Sequence, residues 1–188
     1  GESPTYSAGK EDNSPEQMIV DSLVNENDLN ILNYESALSN AYRGDAFYKV
    51  RYGQEYGGIL PVDIDAPRVI IEAQNPEYVF PETMPGDCNK VLCYHVAYPV
   101  LVDAAAEDWL LKVESHYPGF IKYREFVISP ILVDADGRVV QFTIEAEVME
   151  SRKDVRTGVP FSLVIHVPNF STDDSWQGID DLSEHYAL

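Results

Sequence analysis

Two cysteines, four histidines and a large excess of carboxylates are the side chains of this 188-residue chain best suited to chemistry. Cys88 and Cys93 stand in Gly86-Asp87-Cys88-Asn89-Lys90-Val91-Leu92-Cys93. An even count at short spacing is the pattern of a small disulfide loop in an exported protein. Closing so short a loop stabilises a fold by about 2–3 kcal/mol. Zinc has a weak claim on the pair, since a four-coordinate site needs two further ligands and no His or Cys lies nearby at finger spacing. A redox pair has two intervening residues, and here four intervene. The reading adopted is a structural disulfide Cys88–Cys93, with two free thiols as the alternative, and with no metal and no cofactor.

His95 shares a strand face with Cys93, an arrangement that could supply a thiol nucleophile and its base, but a sulfur bonded to Cys88 is no thiolate. His95 and His166 both fall mid-strand and could chelate a metal across a sheet; two structural histidines explain them as well. No His-x-x-x-His pair occurs, and neither Gly-x-Ser-x-Gly nor a glycine-rich phosphate loop is present. A glycosidase needs two carboxyls at a set separation, one with a raised pKa, and no sequence displays that. Asp134-Ala135-Asp136-Gly137 opens like a calcium loop, yet the third acid and the distal Glu are missing. Arg43-Gly44-Asp45, a tripeptide that animal cell-surface receptors read in exposed loops, falls at a helix end and is taken as incidental. The 12 tyrosines suit strand surfaces and sugar-stacking faces alike. No catalytic residue is assigned.

Charge narrows the classes further. The chain carries 13 basic and 32 acidic residues, a formal −19. Nucleic-acid binding is excluded, because reading phosphates requires clustered Lys and Arg. Anionic membrane surfaces are disfavoured on the same ground, and no apolar run approaches the roughly 18 residues of a spanning helix. The acid gathers at the ends: residues 1–35 hold eight acids and one base, and residues 169–188 hold five acids and no Lys or Arg. The start, Gly1-Glu2-Ser3-Pro4, reads as a processed or cleaved terminus. With the expected disulfide, it places the protein outside the cytoplasm: periplasmic, cell-surface or secreted.

The positioning elements are mostly strands. Residues 1–14 read as a disordered acidic leader. Residues 15–42 read as helical, capped by Ser14, begun by Pro15, broken at Asn25-Glu26-Asn27-Asp28 and stopped at Gly44. Met18, Ile19, Leu23, Val24, Leu29, Ile31, Leu32, Leu38 and Tyr42 give the helical periodicity. Strands are expected over Phe47–Tyr52, Val69–Ile71, Val91–Val102 and Phe161–Val167, with an irregular connection over 75–87 that the disulfide would pin. Pro99 argues for an edge or a bulge. Asp136-Gly137 is the strongest turn signal. It sets a hairpin with Val133 opposite Val140, Ile131 opposite Phe142 and Val127 opposite Ala146, and with Val140, Phe142, Ile144 and Ala146 on the core face.

Tyr98-Pro99-Val100-Leu101-Val102-Asp103-Ala104 and Ser129-Pro130-Ile131-Leu132-Val133-Asp134-Ala135 share five of seven residues. That similarity suggests two equivalent strands, each beside a proline. Residues 104–115 have helix propensity and an Asp103 cap, so a further short helix is expected there, with a returning strand as the alternative. The fold class is therefore mainly β: an antiparallel β-sandwich-like domain over 15–168, the 15–42 helical segment packed on it, and an acidic tail over 169–188. The function expected is a non-enzymatic exported module for binding, adhesion or assembly at a cell surface or envelope, its partner an unknown protein or carbohydrate. The alternatives are a carboxylate-based hydrolase acting on an extracellular polymer such as a glycan, and a calcium-stabilised structural domain.

Overall fold

A computed structural model describes residues 4–9, 14–103, 105, 108–135, 139–170 and 175–181. In chain order the elements are α1 (Pro15–Glu26), α2 (Leu29–Arg43), β1 (Asp45–Gly53), β2 (Arg68–Gln74), β3 (Val79–Met84), β4 (Asp87–Asp103), β5 (Asp108–Tyr117), β6 (Phe120–Val133), β7 (Val139–Glu147), β8 (Lys153–Arg156) and β9 (Val164–Pro168). The chain is mainly antiparallel β with two N-terminal helices, as expected. Within the span read as one domain, contacts gather into two compact units: residues 1–76 with 164–188, and residues 77–163.

The first unit holds both helices and a three-stranded sheet ordered β2-β1-β9. The Ser14 hydroxyl accepts from the Gln17 N–H at 3.2 Å, and Pro15 takes the first turn, where its missing donor costs nothing. The expected break falls at Asn27 and Asp28. Asn27 turns its amide to Leu23 O and Val69 O and accepts from the Ile71 N–H, tying the helix end to β2. Gly44 ends α2 at φ +77°, donating to Asn40 O at 2.9 Å. A Cβ there would also lie 2.3 Å from Gly178 O, so shape and dihedral both demand glycine. The leader is not free where it is described. Ala8 N–H donates to the Gln17 side chain, whose amide donates to Tyr6 O, and the Tyr6 hydroxyl meets Asn33. Residues of the acidic tail dock too: Gly178 N–H donates to Asp45 at 2.8 Å, and Asp181 N–H to Ala41 O at 3.1 Å. The core of this unit is Ala46, Phe47, Ile70 and Val164. β9 begins at Val164, three residues later than expected, and Phe161 is exposed.

The second unit is a six-stranded sheet ordered β3-β4-β5-β6-β7, with β8 pairing the start of β6. Three expectations fail here. The first is the irregular connection over 75–87. After one short turn it forms β3, which pairs β4 from Val79↔Val96 to Met84↔Asp87. Pro81 is tolerated because β3 is an edge strand with one neighbour. The second is the helix over 104–115, whose described residues from Asp108 form β5. Trp109, Leu111 and Val113 pair on both sides, with β4 and with β6, and two ladders of hydrogen bonds outweigh a helix propensity worth tenths of a kcal/mol per residue. The third is the face of the last hairpin, taken up below.

Other features agree with the sequence. Pro118-Gly119 joins β5 to β6, with Tyr117 opposite Phe120 and Gly119 at φ +89°. β3 reaches only as far as Val96 on β4, so Pro99 lies on a locally open edge. Both copies of the repeated heptapeptide end a strand, and each contains a register irregularity after its proline. Val79, Cys93, Val96, Ile121 and Ile128 form the buried centre.

Candidate functional site

Cys88 and Cys93 are not bridged. Both lie in β4, five residues apart. Five residues extended at about 3.3 Å each span roughly 16 Å, and although the ladder with β3 is irregular here, Thr83 pairing Val91 and Met84 pairing Asp87, the two sulfurs are not within bonding distance. A disulfide requires Cα atoms within about 7 Å. The expected Cys88–Cys93 disulfide is thus overturned by the strand that contains it, and the compartment argument built on it falls too.

Regular pairing places Cys93 and His95 on one face of β4. Glu82 joins them from β3, because Glu82 pairs with Cys93. Ser115 joins from β5, because it pairs with His95. The Cys93 Sγ lies 3.9 Å from His95 Nδ1, which is 2.9 Å from Ser115 Oγ; His95 Nε2 lies 3.4 Å from the Glu82 carboxylate. The geometry suits a thiol nucleophile, but the electrostatics do not. Burial pushes the Cys93 thiol up from 9.0 to about 11, and the Glu82 charge adds to this. A hydrogen bond with Tyr117 and the Lys122 ammonium oppose the rise without cancelling it. A reactive cysteine needs the opposite shift and an accessible sulfur, whereas Cys93 is 1% exposed. The same surroundings raise the Tyr117 phenol, by burial first and then by Cys93 and Glu82. Tyr117 stacks on Phe120 with 4.7 Å between centroids, and the Lys122 ammonium sits 5.0 Å above its ring. Sequence reasoning missed Glu82 and Ser115. Both lie in segments read as loop or helix, and only strand pairing brings them beside His95.

His95 and His166 belong to different units, and each has partners within its own. His166 Nε2 lies 2.6 Å from the Asp45 carboxylate, stacks on Phe47 at 4.5 Å and meets the edge of Trp176 at 6.0 Å. This buried pair anchors the C-terminal segment to β1 and β9. His116 is buried with Nε2 3.1 Å from Glu114 and Nδ1 without a partner.

The carboxylates give little support to a hydrolase. Glu147 accepts a two-pronged contact from Arg152 at 2.6 and 2.5 Å. That contact, with the charges of Arg152 and Arg124, holds its carboxyl below the usual range, the reverse of a general acid. A cleft of about 530 Å³ is lined by Gly119, Phe120, Asp154, Val155 and Arg156, one acid beside one guanidinium. Asp136 and Gly137, the expected turn and half of the calcium-like tetrapeptide, lie outside the described residues.

The distal end of the sheet departs most from expectation. Val127 pairs with Ala146 as the turn signal requires, but Ile128 pairs with Ile144, Pro130 with Phe142 and Val133 with Val139. The ladder slips beside Ile128, leaving Glu145 without an opposite number, and slips again around Leu132. The alternation therefore does not define a buried face. Val140 and Ile144 are exposed, as are Ile131, Leu132, Val133 and Val102. Phe142 alone of the expected core row finds an aromatic neighbour, Trp109, at 5.2 Å. A second exposed apolar row, Ile31, Tyr34, Leu38 and Tyr42, runs along α2. Compared with protein-family models and with curated proteins, the chain matches none. Among the described residues no helix is long and apolar enough to cross a membrane.

Proposed function

We propose that this protein is a non-enzymatic binding module whose contact surface is the distal end of the six-stranded sheet. One observation carries the reading: Val102, Ile131, Leu132, Val133, Val140 and Ile144, at the ends of β4, β6 and β7, are each at least half exposed. Apolar side chains gathered and exposed at one end of a sheet mark an interaction site, because leaving them in water costs about 25 cal/mol per Å². Among the described residues β7 pairs with β6 alone, so its outer edge is available for an added strand. The occupant is a partner protein offering an extended apolar segment interspersed with Lys or Arg. Asp103, Asp108, Asp134 and Glu145 stand in or beside the same strand ends, and a chain of formal charge −19 repels a second copy of itself while attracting a basic segment.

The test titrates an alternating Lys-Val peptide, and its Glu-Val counterpart, into isotope-labelled protein and follows backbone amide shifts. Saturable, salt-sensitive binding of the basic peptide, mapped to β7 and weakened at least about tenfold by V140K/I144K, supports the module; both positions are exposed, so the double variant folds. Equal binding of the two peptides, binding indifferent to V140K/I144K, or a concentration-dependent homodimer occupying the face overturns it.

A further inference from the structure

We infer that Glu82, Cys93 and His95 form a binding site for a thiophilic divalent metal ion, with zinc the best fit. The Cys93 sulfur, one His95 ring nitrogen and one Glu82 oxygen all lie within 4.8 Å of one another. Around a tetrahedral zinc, bonds of about 2.3 Å to sulfur and about 2.0–2.1 Å to nitrogen and oxygen put neighbouring donors about 3.3–3.6 Å apart. With Nδ1 held by Ser115, the ligating nitrogen is Nε2, and its 3.4 Å separation from Glu82 Oε2 is that spacing; Cys93 Sγ, 3.9 Å from the other ring nitrogen, closes on the ion by a small side-chain shift. Glu82 is half exposed, so its side chain has room to close the remaining distance.

The donor types make the choice of metal. A thiolate with an imidazole selects zinc over magnesium or calcium, which take oxygen ligands. A thiolate and a carboxylate together balance the two positive charges. Ser115 Oγ, 2.9 Å from His95 Nδ1, fixes the ring, the role an outer hydrogen bond plays for metal-bound histidines. His95 and Glu82 keep solvent-facing sides, so water completes the fourth position. The three ligands come from the register of an edge hairpin, a cross-strand pair plus the next residue on the same face. The site sits about 20 Å along β4 from Leu101, at a rise of about 3.3 Å per residue, and is independent of the proposed partner surface.

The full chain, stripped with a chelator, is titrated with cobalt(II) and then with zinc(II). The expected result is one equivalent of cobalt bound with a sulfur-to-cobalt charge-transfer band, which zinc removes by displacement. Cys93→Ser abolishes the band and Cys88→Ser leaves it. Ser115→Ala weakens binding by about 10–100-fold through loss of ring orientation, and Glu82→Gln weakens it by at least as much. Glu82 is exposed, so Glu82→Gln decides the matter even if the buried Cys93→Ser fails to fold. Absence of the band at one equivalent, its survival in folded Cys93→Ser, its loss in Cys88→Ser, or unchanged affinity in Glu82→Gln overturns the site.

Discussion

Ile128 and Ile144 face one another across the ladder of β6 and β7, yet Ile128 is 3% exposed and Ile144 60%. Replacing each with alanine separates the two readings of this hairpin. Alternation about the Asp136-Gly137 turn puts Ile144 in the core; in the structure Ile128 is the buried member of the pair and Ile144 the exposed one. Truncating a well-buried isoleucine removes transfer energy and leaves a cavity, together about 2–5 kcal/mol. Ile128, in the sheet centre with Trp109 on its other side, belongs in that range, about 3 kcal/mol. Full burial of such a side chain contributes about 1.5–3 kcal/mol, so the minor part of Ile144 that is shielded contributes roughly 1 kcal/mol or less. For a chain of this length about 2–4 °C accompanies each kcal/mol. Ile128→Ala therefore lowers the thermal midpoint by roughly 6–12 °C, and Ile144→Ala by no more than about 4 °C. Calorimetry or a circular dichroism melt reads both, and urea titrations with matching m-values confirm that one transition is being compared. The opposite ranking, or equal losses, would refute the exposed-face reading and with it the surface on which the proposed function rests.

Other outcomes follow from single groups. Ser36 is buried in α2 with its hydroxyl unpartnered; Ser36→Ala removes a stranded polar atom and improves helix propensity, raising stability by about 1–2 kcal/mol in urea unfolding. Glu147 has a folded-state pKa below its ordinary 4.5. Its pairing therefore favours folding above the unfolded value and is lost as pH falls through the depressed one, and Arg152→Gln moves its carboxyl titration, followed by side-chain carbon NMR, upward toward 4.5. Iodoacetamide without reductant labels Cys88 alone in the native, metal-free chain and both cysteines in denaturant, by intact mass, because Cys93 is buried with its thiol near pKa 11. A disulfide would leave both unlabelled.

Much of the architecture was written locally. Ser14-Pro15 starts a helix, Asn25–Asp28 breaks it and Gly44 stops it, because caps and left-handed positions are satisfied by a residue's immediate neighbours. Aromatic and β-branched runs at 47–52 and 91–102 specified strands for a similar reason, since side-chain crowding against the backbone is local. Tertiary structure decided the rest. Helix propensity at 104–115 yielded to pairing on two sides, which no window of sequence contains. Two cysteines five apart look like a loop until both are seen to lie in one strand. Ladder slips beside Ile128 and Leu132 moved the buried row of the best-patterned hairpin, because a single unmatched residue reverses which side chains face inward. Cys93 and His95 were visible as neighbours on a strand, but Glu82 and Ser115 reach them only through the registers of β3 and β5. Residue types and their near neighbours are fixed by covalent order; which strands lie side by side, and in what register, is settled by packing across long separations.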